Sequence, residues 1–321
     1  MNLYFAPMEG LTGHIYRNAQ HTCFNSIDKY YSPFISTNES GTFKKRELNE
    51  LSPENNRAYP FVPQLLSNKA DDFIAMAEKI KRMGYREINL NLGCPSGTVA
   101  AKNKGSGFLA KLKELDAFLY EIFAWGGTKI SIKSRIGKEH PDEFYELIDM
   151  FNRYPVEELT IHPRLQRDFY KNTPNMEVFK YALSHSKNPL CYNGNIFTIG
   201  QYRRFSEEYP AVKSAMLGRG LLINPGLAKE IRQNVKTDKS NLKLFHDTIY
   251  EEYRKLPSGD TATLFKMKEI WFYMSLMFSN NEKYAKKIKK ATRLRDYEEA
   301  VSSLFREQEL LECYEQNLEK I

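Results

Sequence analysis

The residues able to do chemistry recur in one setting, just past a short β-rich run. Cys94 stands between Gly93 and Pro95 after 87–91 (EINLN), a run that ends on Asn91. Lys133 and Arg135 end 129–135 (KISIKSR), and His162 ends 158–162 (ELTIH) with Arg164 just beyond. Asn193, Gly194 and Asn195 close 189–193 (PLCYN), and Gly218-Arg219-Gly220 closes 214–218 (SAMLG). Pro7-Met8-Glu9 follows 2–6 (NLYFA), and Gln64 lies near the end of 61–66 (FVPQLL). A thiol with an ordinary pKa of about 8.5 is mostly protonated at neutral pH, so Cys94 can act as a general acid or as a nucleophile. Alternation along 129–135 puts Ser131, Lys133 and Arg135 on one face, where inward cations at the top of a strand call for an anion. The small residues of the last two loops let backbone N–H groups approach a phosphate, and Arg219 can add a charge-assisted contact.

The elements that must position these residues alternate in type. An eighth β-rich run, 29–35 (KYYSPFI), joins the seven above. Helical patterns at 70–84, 107–124, 142–152, 175–186 and 198–208 separate most of them, with Gly84 a stop and Thr198 an N-cap. Strand–helix alternation predicts a parallel sheet, and eight strands in the first 235 residues predict an α/β fold, a (β/α)8 TIM barrel. Such barrels carry their active sites at the C-terminal strand ends, with phosphate after strands seven and eight. The polar 36–60 connection has no assigned element. After a polar linker at 236–241, helical stretches at 242–256, 262–279, 282–294 and 297–317 predict a small all-helical domain, a four-helix bundle. The expected domains are 1–235 and 236–321. Gly105-Ser106-Gly107-Phe108-Leu109-Ala110 matches G-x-G-x-x-A but lacks a strand directly before it. It reads as a tight loop-to-helix turn, not a dinucleotide site.

Composition excludes several classes. An apolar fraction of 41% supports a sizeable core and rules out a disordered chain. No apolar run approaches a membrane span and no signal peptide is visible. Cys23, Cys94, Cys191 and Cys313 are scattered and the six histidines show no ligand spacing, so neither disulfides nor a metal is expected. A cytoplasmic setting follows. The formal charge of +7 is uneven: 283–295 carries seven basic residues and no acid, whereas 296–321 carries eight acids and two bases. Helical spacing places Lys283, Lys286, Lys287, Lys289, Lys290 and Arg293 on one arc, with Tyr284, Ile288 and Ala291 opposite. The stripe is an ordinary solvated face or a polyanion contact.

The chain resembles the tRNA-dihydrouridine synthases, FMN-dependent barrel enzymes with a C-terminal helical domain. The carriers are APMEGLT (6–12), QLL (64–66), NLNLGCPSGTV (89–99), KSRIG (133–137), HPRLQRDFY (162–170), YNGNI (192–196) and MLGRGLLINP (216–225). The resemblance implies reduction of uridine to 5,6-dihydrouridine in the D-loop of tRNA. Hydride passes from reduced flavin to C6, a proton passes from Cys94 to C5, and NADPH or NADH is the electron donor. It implies Pro7, Met8 and Glu9 against the flavin, Gln64 and Lys133 at its polar edge, and His162 beside it. Asn193, Gly194, Asn195, Gly218 and Arg219 would hold the FMN phosphate and ribityl end. Asn91 and Arg135, with Arg164 and Tyr170, would approach the flipped uridine. The first domain would then bind FMN. The helical domain would bind tRNA, with Lys286, Lys287 and Lys290 in contact, and a monomer is expected. Pro163 and Leu165 depart from the family's common H-G-R-T segment. The rivals are an FMN barrel reductase of a free pyrimidine or enone, and a non-catalytic RNA-binding protein.

Overall fold

The computed structural model describes residues 1–320. Its strands are β1 (Asn2–Phe5), β2 (Lys29–Tyr31), β3 (Ile35–Ser36), β4 (Phe61–Val62), β5 (Gln64–Leu66), β6 (Glu87–Leu92), β7 (Lys129–Arg135), β8 (Leu159–His162), β9 (Leu190–Tyr192) and β10 (Ser214–Leu217). The hydrogen-bonded order is β3-β5-β6-β7-β8-β9-β10-β1-β2-β4. That order closes on itself, because β2 and β3 are halves of one run and β4 and β5 are halves of another. The breaks fall at Pro33 and Pro63, which have no N–H to give the ladder. Tyr31 pairs with Val62 and Ile35 with Leu65, so the first run carries one extra residue between pairs, a bulge. The Ser32 hydroxyl accepts from the Gln64 N–H at 2.8 Å and stands in for a missing rung. The eight expected strands therefore form the expected parallel barrel, with two of them interrupted.

Register sets which side chains share the interior. Asn89 lies opposite Ser131, Asn91 opposite Lys133, and Arg135 opposite His162. Helices Ala70–Arg82, Leu112–Trp125, Glu143–Phe151, Met176–His185 and Ile199–Glu208 occupy the expected places. Ala70–Arg82 buries Phe73, Met76, Ala77 and Ile80 on one stripe. The Thr198 hydroxyl caps its helix by accepting from Gln201 N–H at 3.2 Å. The helix expected from 107 begins at Leu112, because Gly105–Ala110 winds into a 3-10 turn first. The unassigned 36–60 stretch holds a helix at Lys45–Leu51 and a 3-10 turn at Pro53–Asn55.

The chain packs as two compact units. Met1–Glu9, Asp28–Asn195 and Glu208–Met216 form the first; Gly10–Ile27, Ile196–Glu207 and the chain from Leu217 form the second. The second contains His14–Phe24, a helix with no clear sequence signal, because it buries Arg17 and Gln20 along with Ile15 and Tyr16. Both polar chains find backbone acceptors: Arg17 Nη1 donates to Thr12 O at 2.8 Å and Gln20 to Pro225 O at 3.0 Å. Helices Lys239–Arg254, Gly259–Met274, Glu282–Lys290 and Leu294–Glu307 follow. Trp271 Nε1 donates to the Tyr297 hydroxyl at 2.8 Å, which also meets His246 Nε2 at 2.7 Å. The helix expected to reach 294 stops at Lys290, as Ala291 turns extended. The one expected to reach 317 stops at Glu307, beyond which Leu310 bridges to Phe278.

Candidate active site

The loop bearing Cys94 is pinned from below by one side chain. Asn91 Oδ1 accepts from the N–H groups of Gly93 at 3.1 Å and Cys94 at 2.9 Å. Those N–H groups can only donate, so the Asn91 amide has one allowed orientation and its Nδ2 must point away. It donates to Gln64 Oε1 at 2.8 Å. The same logic then turns Gln64 Nε2 toward Asn89 Oδ1 at 2.7 Å, and Asn89 Nδ2 toward the Ser131 hydroxyl at 2.9 Å. Four buried side chains on β5, β6 and β7 thus form one polarised relay. From above, Ser106 donates to the Cys94 carbonyl through both its N–H at 3.1 Å and its hydroxyl at 2.7 Å. Gly105, at φ +58, lies so close that a Cβ there would reach the Cys94 carbonyl oxygen at 2.9 Å. The glycine turn that imitates a dinucleotide fingerprint is a clamp on the thiol loop.

The electrostatics suit a proton donor. Burial pushes the half-buried Cys94 thiol above its ordinary value. The Ser96 backbone and the Arg135 and Lys133 cations oppose that rise. Lys133 is pulled down to about 8, first by burial and then by repulsion from Arg135. Lys133 is half-buried, and among the described residues no carboxylate pairs with it, so its ammonium is available to an acceptor that enters the site.

Two arginines, each 1% exposed, organise the loop after β8. Arg135 donates to Gly93 O at 3.0 Å, Leu165 O at 2.7 Å and Phe169 O at 2.6 Å. Its guanidinium also lies 5.8 Å from the Tyr170 ring centre. Arg164 donates to Lys171 O at 2.9 Å and to Asn172 O at 2.6 Å. It meets His162 Nε2 at 3.0 Å and Asn195 Oδ1 at 3.1 Å. A guanidinium cannot accept, so His162 Nε2 is the unprotonated nitrogen and Nδ1 carries the hydrogen. The Tyr170 ring lies 6.0 Å from that of His162. Arg135 and Arg164, expected near the uridine, are thus engaged with backbone carbonyls and with His162 and Asn195.

The remaining residues fall as follows. Pro7 and Met8 are half-buried at the end of β1, and the exposed Glu9 pairs with Arg46 at 2.8 Å. Asn193 Nδ2 donates to Met216 O at 2.7 Å. Gly194 passes so near the Tyr192 hydroxyl that no Cβ fits. In the second unit Gly218 precedes the short helix Arg219–Ile223, and the Arg219 guanidinium lies 5.1 Å from the Phe197 ring centre. In Glu282–Lys290, Tyr284 and Ile288 are buried while Lys283, Lys286, Lys287, Lys289 and Lys290 are exposed. Arg293 lies past that helix and pairs with Asp296 at 2.8 Å. Asn89, Ser131, Ser106 and Phe169 also belong to the site's framework, and the sequence alone assigns none of them a role there. Asn89 and Ser131 had a signal, since each is polar on the inward face that also carries Asn91 and Lys133.

The donor set fits a flavin's polar edge, because the unpaired Lys133 ammonium and the spare amide capacity of Gln64 match carbonyl and ring-nitrogen acceptors. The family model described as dihydrouridine synthase (Dus) matches residues 4–319. A probable tRNA-dihydrouridine synthase of Staphylococcus epidermidis (strain ATCC 12228 / FDA PCI 1200) is 26% identical over 324 residues, covering 98% of this chain and 94% of the relative. A probable tRNA-dihydrouridine synthase 2 of Bacillus subtilis (strain 168) is 26% identical over 267 residues, covering 78% of each. Among solved structures, morphinone reductase superposes with a TM-score of 0.52 at 12% identity, covering 76% of this chain and 88% of that one.

Proposed function

The chain belongs to the dihydrouridine synthase family, and from that premise we propose that it reduces a uridine of tRNA to 5,6-dihydrouridine with FMN as resident cofactor and NADPH or NADH as electron donor. Bound FMN would supply hydride chemistry for C6 of the uracil ring. Gln64 and Lys133 would hold its polar edge, with His162, Pro7, Met8 and Glu9 as its further contacts. Asn193, Gly194 and Asn195 receive the phosphate and ribityl end, and Gly218 and Arg219 carry the same assignment from their place after the last strand. Cys94 delivers the proton to C5. Burial keeps its thiol protonated at neutral pH, and the nearby Arg135 and Lys133 charges stabilise the thiolate left behind. Arg135 and Arg164 fix the Cys94 loop and His162 around the uridine, with Asn91 and Tyr170 at its edges. Residues 236–321 form the tRNA-binding part, through Lys286, Lys287 and Lys290.

The observation that carries this reading is the Cys94 loop, held by Asn91 on one side and Ser106 on the other, next to a half-buried Lys133 that no carboxylate among the described residues pairs with. The test is Cys94→Ala, assayed for bound FMN, for NADPH oxidation and for dihydrouridine in unmodified tRNA transcript. Retained FMN and NADPH oxidation with most dihydrouridine lost is the expected result. Full dihydrouridine formation removes Cys94 from its role, and equal turnover of free uridine favours a small-molecule reductase.

A further inference from the structure

Phe169 combines two costs that a loop residue ordinarily avoids. The residue is 49% exposed. Its backbone sits at φ +51, ψ −103, the first central position of a β-turn closed by Lys171 N–H to Asp168 O at 2.8 Å. That is the II′ geometry, in which glycine is the usual occupant and a bulky side chain is strained. Such strain persists only where the surroundings over-determine it. Here they do. The buried Arg135 holds Leu165 O and Phe169 O, the buried Arg164 holds Lys171 O and Asn172 O. The Asp168 carboxylate ties Leu165 N–H at 2.8 Å and Asn172 Nδ2 at 2.8 Å. Two buried guanidiniums spend their donors to keep an aromatic ring in water.

The same Arg135 ties the Phe169 backbone to the acid's loop, since its Nε binds Gly93 O while its Nη2 binds Phe169 O. Phe169 is therefore one side chain removed from the Cys94 loop. We propose that Phe169 is a nucleobase-stacking residue. It packs on the base next to the reacting uridine and replaces the stacking which that base loses when the uridine is drawn out. The role rests on the reading that the substrate is a uridine within RNA. Drawing a base from its stack costs roughly a few kcal/mol, and an aromatic platform of fixed height recovers part of it for any base, since every base has a π-face. Tyr170, 45% exposed and facing His162, is the inner neighbour of the platform.

The experiment compares Phe169→Gly, Phe169→Ala and Phe169→Tyr with wild type. It measures thermal melting, binding of unmodified tRNA transcript across a salt series, and KM and kcat for dihydrouridine formation. Phe169→Gly should melt no lower than wild type, because glycine relieves the positive φ, yet bind the transcript roughly ten- to a hundred-fold more weakly. The salt slope should not change, since no phosphate contact is lost. Phe169→Ala should lose affinity alike without gaining stability, and Phe169→Tyr should keep wild-type affinity. Wild-type protein that fails to bind the transcript sinks the RNA reading and this role together. Wild-type binding matched by Phe169→Gly sinks this role alone, as does a lower melting point for Phe169→Gly, which would make the ring structural.

Discussion

Asn91 offers two substitutions, one that removes the amide and one that keeps its shape, with different expected outcomes. Asn91→Ala removes the acceptor of the Gly93 and Cys94 N–H groups and the donor to Gln64 Oε1. Stranding a buried polar group costs about 1–3 kcal/mol, and two of the three groups here are only half-buried, so a total of about 3–5 kcal/mol is expected. Asn91→Asp keeps both N–H acceptors and lets the relay invert. Gln64 turns over to donate its Nε2, Asn89 turns over to donate Nδ2 to Gln64, and the Ser131 hydroxyl changes from acceptor to donor. The inversion is possible because a hydroxyl ends the chain, and a hydroxyl can do either. The new carboxylate also lies across from Lys133 and should raise that ammonium from its depressed value of about 8. Urea unfolding should therefore show Asn91→Asp at least about 2 kcal/mol more stable than Asn91→Ala. Alkylation of Cys94 by iodoacetamide should be fastest in the alanine variant, whose loop is unpinned. Equal stability of the two variants would refute a relay whose orientation the Cys94 loop dictates.

Three further outcomes follow from the electrostatics. Lys133 binds its proton less tightly folded, at about 8, than unfolded, at 10.5, so its buried charge destabilises the fold below pH 8 and the penalty lifts as pH rises through that window. Lys133→Met should thus be more stable at neutral pH, by at most about 3 kcal/mol, and lose the rise in stability between those values. Because burial raises the Cys94 thiol, its alkylation in folded protein should accelerate only above the pH at which urea-unfolded protein reacts. An alkylation profile at lower pH in the folded state would overturn Cys94 as the acid. Replacing Lys286, Lys287 and Lys290 with Glu should weaken tRNA binding and flatten its salt dependence while FMN stays bound; unchanged affinity would return the stripe to an ordinary solvated face.

How much of this is legible in the sequence differs by residue. The barrel is legible because β-rich runs and helical periods alternate cleanly, and even the two interrupted strands read as single runs. Pro33 and Pro63 sit inside them without changing the alternation. The positions of Cys94, Lys133 and His162 at or just past strand ends are legible because the runs that lead to them read as strands. The partners of Arg135 and Arg164 are not, since an arginine at a strand end looks equally suited to an anion and to a set of carbonyls. What decides is the path of the 165–172 loop, which only the folded chain defines. His14–Phe24 hides for a related reason, because buried Arg17 and Gln20 blur its apolar stripe.

The prolines have one more consequence. Seven joints of the barrel wall run between strands with no proline between their paired residues, most firmly where Glu87–Leu92 lies along β7. The eighth, between the 29–36 and 61–66 runs, carries a proline on each side and a bulge. Thermal breathing of the cylinder must concentrate there, and Gln64 sits at the lip of that seam. The β6–β7 wall that carries the acid and Lys133 stays stiff, while the seam next to it, one strand beyond β6, yields. Backbone amides of β3 and β5 should then exchange with solvent deuterium faster than those of β6 and β7. A bulky ring entering the mouth meets a rim that is firm along one arc and gives along the arc beside it.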